Sequence, residues 1–287
     1  MRNKAEPRNT IGVGDRTLGP DPALVGVVNV TPNSFSDGGD FLDPEKAASR
    51  ATSMLDEGAQ IIDVGGESTR PGSDPVPPEE EVRRVVPVIR AILAERPSAV
   101  ISIDTYRAAT AGAALEAGAR IVNDVTALRA DPSMIELVAD THCPVVLMHM
   151  LGEPKTMQRG PRYDDVVREV RDFLVRRTEH AVAAGIEPEN VILDPGIGFG
   201  KTAEHNLLLL RRLEVLVALG FPVLIGTSRK RFIGGITGVE EAKDRVFGTV
   251  AANVIACERG ATLFRVHDVR ANREALAVAQ AVRSSAR

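Results

Sequence analysis

Eight short runs of Val, Ile, Leu and Ala recur along this chain, each followed by a longer segment whose apolar residues repeat with a helical period. The runs occupy residues 24–29, 60–64, 100–104, 120–123, 145–149, 191–194, 223–226 and 263–266. They are continuously apolar rather than alternating, the pattern of parallel strands buried on both faces. The helical patterns cover 43–57, 79–95, 107–117, 132–140, 164–184, 203–219, 246–259 and 269–282. Pro44 stands just inside the start of the first and Gly58 just past its end, the usual helix punctuation. Eight such units within about 250 residues predict an α/β fold, a parallel (β/α)8 TIM barrel in a single domain. A doubly wound open sheet is the structural alternative, but it would gather ligands near one switch point. Residues 1–22, rich in Gly, Pro and charge, read as a flexible N-terminal extension, and residues 23–287 as the barrel domain.

Composition removes several function classes. The net charge of −4 gives no global basic field for nucleic acid, and aromatics at 3% with no Trp give no base-stacking platform. Two cysteines, Cys143 and Cys257, lie in apolar surroundings and read as buried thiols rather than a disulfide framework. The first residues carry charge with no apolar stretch after it, and no run approaches the ~18 apolar residues of a membrane span. A cytoplasmic protein is expected.

Polar motifs stand where the strands end: Asn29-Val-Thr-Pro, Glu67-Ser-Thr-Arg-Pro-Gly72, Ile103-Asp104, Asn123-Asp124, Asp194-Pro-Gly-Ile-Gly-Phe-Gly-Lys201, Ser228-Arg-Lys230 and Arg265-Val-His267. A barrel brings all its strand ends into one mouth, so residues far apart in sequence would line one pocket. Long segments at 30–41, 65–78 and 150–163 read as covers of that mouth. The Asp194 motif is not a nucleotide-triphosphate loop, because Pro195 occupies the position of the first Walker glycine. It is either a loop whose backbone approaches a flat ligand or a tight turn capped by Asp194. Asp104 either caps the helix at 107–117 or projects into the mouth, and Asp63 reads as a core or supporting group. Asn123 suits an amide-like heterocycle edge. Arg265 and His267, two apart on one strand, point the same way and suit a pyrophosphate, the alternative being an ordinary Arg–Asp pair. Lys230, near a helix start at Phe232, favours an anion or a ring carbonyl. No HExxH or paired His/Cys cluster supports zinc, and no GxSxG elbow supports serine hydrolysis.

Taken in order, these segments resemble the dihydropteroate synthases of the pterin-binding barrel superfamily. The likeness rests on residues 26–39, 62–72, 102–105, 121–124, 147–158, 194–201, 227–230 and 265–268, and spans about 24–280. It implies that 4-aminobenzoate displaces pyrophosphate from 6-hydroxymethyl-7,8-dihydropterin diphosphate, giving 7,8-dihydropteroate. It implies pterin binding by Asp104, Asn123, Asp194 and Lys230, with Val125, Met148, Phe199 and Gly226 as lining. It implies an anion and Mg²⁺ end at Asn29, Arg265 and His267, with Asn29 the metal ligand and Arg70 also on the pyrophosphate. Thr69, Arg70, Phe199 and Arg231 would complete the aminobenzoate site with the loop at 31–39. Asp104, Lys230, Arg265 and His267 carry the implied catalysis, and on that reading Arg265→Ala loses turnover while pterin binding is retained. Two positions depart from the family pattern, Asn33 for Asp and Arg231 for Ser, which leaves affinity for aminobenzoate and for sulfonamides open. The resemblance also implies a homodimer; the apolar faces of the last helices (Val246, Val250, Val254, Leu276, Val278) read either as its packing surface or as ordinary core. The rivals are a methyltetrahydrofolate:corrinoid methyltransferase, which needs no pyrophosphate site, and a non-catalytic paralogue, which would have lost motif residues.

Overall fold

A computed structural model describes residues 10–14, 16–31, 43–68, 75–153 and 155–285. Eight parallel strands form the barrel: β1 Ala23–Asn29, β2 Ile61–Gly65, β3 Val100–Asp104, β4 Ile121–Asp124, β5 Val145–Met148, β6 Val191–Asp194, β7 Leu224–Ile225 and β8 Leu263–Val266. Their order in the sheet is β6-β5-β4-β3-β2-β1-β8-β7. The ring is closed by a parallel bridge between Leu193 and Val223, backed by a Leu193 N–H to Pro222 carbonyl bond of 2.9 Å. The open-sheet alternative is therefore excluded.

The helices are α1 Pro44–Glu57, α2 Pro78–Glu95, α3 Ala108–Glu116, α4 Ser133–Thr141, α5 Val166–Ala183, α6 Ala203–Arg211, α7 Glu214–Val217, α8 Arg231–Thr237, α9 Val246–Glu258 and α10 Val269–Ser285. Local chemistry sets their ends. Asp43 caps α1 by accepting from the Glu45 and Lys46 N–H groups, and Gly58 closes it at φ 108°. The single helix expected over 203–219 is broken at Arg212. No Gly or Pro marks the break; Leu213 and Leu216, both fully buried, turn the chain to reach the core.

Two apolar layers follow from the strand period of two. Outward-facing Ile62, Val64, Ile101, Ile103, Val122, Leu147, Leu193, Ile225, Phe264 and Val266 pack against the helices. Inward-facing Val25, Ile61, Val100, Ile121, Val146, Ile192, Leu224 and Leu263 fill the barrel. The described part of the N-terminal segment holds a strand pair that the sequence reading did not pick out. Ile11–Val13 and Arg16–Leu18 pair as an antiparallel hairpin, and Ile11 and Val13 join the inward layer. Burying two large apolar side chains at the N-terminal end of the barrel outweighs the Gly- and charge-rich composition around them.

Candidate active site

The same period that fills the barrel builds the site. Two residues beyond the apolar inward layer, the inward positions of β2, β3, β4, β5, β6 and β8 hold Asp63, Ser102, Asn123, Met148, Asp194 and Arg265. Two residues further on come Asp104, Val125 and His267. An apolar floor thus gives way to a polar layer at the C-terminal mouth.

The polar layer is a charge network. Arg265 donates from Nε to Asp63 Oδ2 at 2.6 Å and from Nη2 to Asp104 Oδ2 at 2.7 Å. Asn123 Nδ2 donates to the same Asp63 oxygen at 3.0 Å. The Asp104 Oδ1 atom is buried and has no hydrogen-bond partner among the described residues. Burial pushes the Asp104 carboxyl up to about 7, with Arg265 pulling it back and Asp63, Glu81 and Asp124 adding to the rise. Asp194 is pushed up to about 6 by burial, opposed by the Gly196 N–H that its Oδ1 accepts at 2.6 Å. Burial, and next the Arg265 charge, bring Lys230 down to about 8, while Asp194 and Asp104 hold it up. Its Nζ lies 4.1 Å above the Phe199 ring. Val125, Met148, Met150 and Met157 form one apolar cluster, with Tyr106 and Phe199 packed on it. The arrangement suits a flat heterocycle, with acceptors along one edge, an ammonium at another and sulfur and ring contacts on its faces.

The loops that frame the mouth are held from below. Gly196, Gly198 and Gly200 all have positive φ, and a Cβ on Gly196 would lie 1.9 Å from the His149 carbonyl oxygen. Lys201, buried, turns back into its own loop: Nζ lies 2.9 Å from His149 Nδ1 and 3.0 Å from the Gly196 and Phe199 carbonyls. This lysine shapes the loop from within. Asp124 accepts from Thr126 and Leu128 and so builds the turn after β4. Glu67 accepts from Val76 N–H, Tyr106 and Arg107, tying the two ends of the segment after β2. A buried chain of Thr227, Asn253 and Asn272, ending on the Asp268 carbonyl, supports the ends of β7 and β8. Arg229, at φ 60°, adds a two-pronged bond to Asp268.

Asp104, Asn123, Val125, Met148, Asp194, Phe199, Gly226, Lys230, Arg265 and His267 all stand at this end of the barrel, as expected. Asp104 does not cap α3; Asp131 does, accepting from Ala108 N–H at 2.8 Å. Arg265 and His267 have separate partners. Arg265 is bonded to the two acids, and His267 Nδ1 lies 2.9 Å from Ser228 Oγ. Arg265 is thus part of the polar layer under the expected pterin site, and a substitution there would disturb that layer directly. Asn29 ends β1, partly exposed, and Arg231 is exposed at the start of α8. Thr69, Arg70 and Asn33 lie outside the described residues. Sequence reasoning left Asp63 undecided, gave Ser102, Met150 and Met157 no role, and read Lys201 only as the end of a failed phosphate motif. Counting in twos from Ile61 and Val100 would have placed Asp63 and Ser102 on the inward face.

Both cysteines are buried free thiols. No group of three or more metal-binding side chains occurs among the described residues. No described helix is long and apolar enough to cross a membrane.

Comparison with known proteins gives a consistent result. The profile of the pterin binding enzyme family matches residues 25–267. The dihydropteroate synthase of Mycobacterium leprae is 49% identical over 261 residues, covering 89% of this chain and 91% of that one. A structure of Xanthomonas albilineans dihydropteroate synthase with 4-aminobenzoic acid superposes with a TM-score of 0.90 at 48% identity, covering 97% of this chain and 99% of the other. The same enzyme in complex with 7,8-dihydropteroate gives a TM-score of 0.86 at 46% identity, covering 96% and 98%.

Proposed function

The chain belongs to the pterin-binding enzymes, in the dihydropteroate synthase group, and from that membership we propose how its strand ends perform the reaction. The enzyme is a transferase of folate biosynthesis. It joins 6-hydroxymethyl-7,8-dihydropterin diphosphate to 4-aminobenzoate, releasing pyrophosphate and 7,8-dihydropteroate.

One observation carries the residue assignment: the strand-end acceptors Asp104, Asn123 and Asp194 share the barrel mouth with Lys230, which lies over Phe199 and feels the charges of Asp194 and Asp104, beside the apolar cluster of Val125 and Met148. A dihydropterin has a donor-rich edge and a ring carbonyl, which match the acceptors and the ammonium. Gly226 lets the ring approach the backbone closely. The aminobenzoate nitrogen forms its bond to the pterin methylene carbon as the carbon–oxygen bond to diphosphate breaks, with the electron pair leaving on pyrophosphate. The arylamine is neutral near pH 7, attacks without a strong base and gives its proton to solvent. Positive charge grows on the methylene and is shared by the pterin; the Asp104 carboxylate is preorganised to stabilise it. His267 and Ser228 face the departing pyrophosphate, with Arg70, and Arg265 holds the acids in place. Arg231, exposed beside Lys230, receives the aminobenzoate carboxylate, with Thr69 and Arg70 completing that side as in the sequence reading.

The donor set fits Mg²⁺ that arrives with the diphosphate. A lone amide oxygen, Asn29 at the end of β1, suits an ion that keeps phosphate and water ligands. When bound, the ion would neutralise charge building on the leaving group.

The homodimer is part of the same proposal. α9 and α10 carry exposed apolar side chains, among them Phe247 at 88% and Val278 at 65% exposure, which suit burial against a second copy. Leu276, also considered for that surface, instead packs into the core, and Val254 is half-buried against it. Cytoplasmic location is carried forward from the sequence reading. The test of function is to incubate the protein with both substrates, with Mg²⁺ or with EDTA, and to quantify both products. Metal-dependent, one-to-one formation of dihydropteroate and pyrophosphate is expected. Tight pterin binding without product would favour the corrinoid-methyltransferase or non-catalytic reading.

A further inference from the structure

We infer that Asp63 is a positioning residue of the pterin cradle: one carboxylate oxygen fixes which end of the Asn123 amide faces the ligand and pins the Arg265 guanidinium against Asp104. The inference rests on the cradle reading above and extends it to a side chain that touches no substrate.

Asp63 sits on β2, beside Ser102 of β3 and one layer below Asp104. Its side chain is 1% exposed, and Oδ2 accepts from both Asn123 Nδ2 at 3.0 Å and Arg265 Nε at 2.6 Å. An ionised carboxylate only accepts. The NH₂ end of Asn123 must therefore point down to Asp63, leaving its carbonyl to face the mouth. A flipped amide would set a carbonyl oxygen against a carboxylate oxygen in a buried site. The polarity of the Asn123 amide is thus settled by its neighbour's chemistry. The mouth then offers acceptors from Asp104, Asn123 and Asp194, a pattern that selects a ligand edge made of N–H donors.

Arg265 gains its fixed place the same way. Its fork spans two carboxylates on adjacent strands, through Nε to Asp63 and Nη2 to Asp104. One guanidinium between two carboxylates leaves the trio with excess negative charge beside the ligand. Asp104 is also within the influence of Glu81, Asp124 and Arg265, and Lys230 responds to Arg265, Asp194 and Asp104.

The test is Asp63→Asn in the full-length enzyme. The amide keeps one oxygen where Oδ2 stands but removes the charge, so the bonds from Asn123 and Arg265 both weaken to neutral ones, and an amide that can present either end no longer dictates which end of Asn123 faces the ligand. The expected result is a rise of about ten-fold or more in KM for the pterin diphosphate, with KM for aminobenzoate within about two-fold. Removing the Asp63 charge also favours the ionised form of Asp104, so the acid limb of the kcat/KM profile moves to lower pH. In an Asn123→Ala background the Asp63→Asn effect on KM shrinks to less than about three-fold, because part of what Asp63 positions is gone. If Asp63→Asn melts far below the wild type, Asp63→Ser, which keeps one acceptor oxygen, is read in its place. An equal loss for both substrates with an unmoved pH profile would mean simple destabilisation and would overturn the inference. So would unchanged kinetics in Asp63→Asn while Asp104→Asn loses pterin binding. Normal pterin binding in both variants would refute the cradle reading itself.

Discussion

Arg265→Ala separates the structural account from the sequence account most sharply. In the structure the guanidinium is the counter-ion of two buried carboxylates, Asp63 at 1% and Asp104 at 7% side-chain exposure. Removing one side of a buried pair costs about 3–5 kcal/mol, and the lower end applies here because Arg265 is itself 22% exposed. A loss of about 3 kcal/mol lowers Tm by roughly 6–12 °C in a domain of this size. The pH profile should move as well. Arg265 lowers the Asp104 carboxyl and also lowers the Lys230 amine, so its removal raises both. The acid limb, near the Asp104 value of about 7, and the alkaline limb, near the Lys230 value of about 8, both shift to higher pH. A neighbouring opposite charge is worth about 1–3 pKa units. A one-unit rise in Asp104 reduces its ionised fraction at pH 7 from about one half to about one tenth, a loss of roughly five-fold from protonation alone. Pterin binding should fall together with turnover. The assay is kcat/KM for the pterin diphosphate from pH 5.5 to 9.5, with binding measured by calorimetry and Tm recorded at each pH. Normal pterin affinity and an unmoved acid limb, with turnover lost, would refute the network and restore Arg265 to a purely pyrophosphate role.

Other outcomes follow from the same geometry. The wild-type kcat/KM profile for the pterin diphosphate should be a narrow bell, falling below the Asp104 value of about 7 and above the Lys230 value of about 8; activity that holds level well below and well above those values would contradict the assigned charge states. Lys201 is brought down from 10.5 to about 7, chiefly by burial, so between those values the unfolded chain binds more protons and Lys201 adds stability as pH rises. The stability gap between wild type and Lys201→Met should therefore widen from pH 7 to pH 9 in urea titrations; a constant gap would show that Lys201 stays charged in the fold. Gly196→Ala should cost several kcal/mol, on the order of an overpacked core site plus a left-handed penalty, because its Cβ would strike the His149 carbonyl; Tm and aminobenzoate KM report it. Asn253→Leu should cost about 1–3 kcal/mol by leaving the Thr227 hydroxyl and the Asn272 Oδ1 without their partners, read as a lower Tm.

Much of the site was legible because barrel topology turns a linear list into a ring. Asp104, Asn123, Asp194 and Arg265 each end a recognisable apolar run, and knowing that the runs are parallel is enough to gather them. The partners were not legible. Nothing near Arg265 in sequence says that it bonds to Asp63, 202 positions away. Nothing near Asp104 says that α3 is capped by Asp131 instead. Lys201 read as the end of a failed phosphate motif, and only the fold turns it inward onto His149. The hairpin at 11–18 was missed because its two short strands, with turn and charge between them, carry too little apolar pattern to stand out without the barrel floor they cover.

By itself the sequence determined the periodicities: eight runs with helices between them, Gly and Pro at their borders, and a polar residue waiting at nearly every strand end. Those are local properties, set by side-chain size, branching and backbone freedom. The tertiary structure decided which polar groups share a charge and which atom of each is left for a ligand. Those outcomes depend on hydrogen bonds of 2.6–3.0 Å across strands, in a setting where burial moves carboxyls and amines toward neutral pH. Ring closure between β6 and β7 fixes those distances, and no segment of the chain contains them alone.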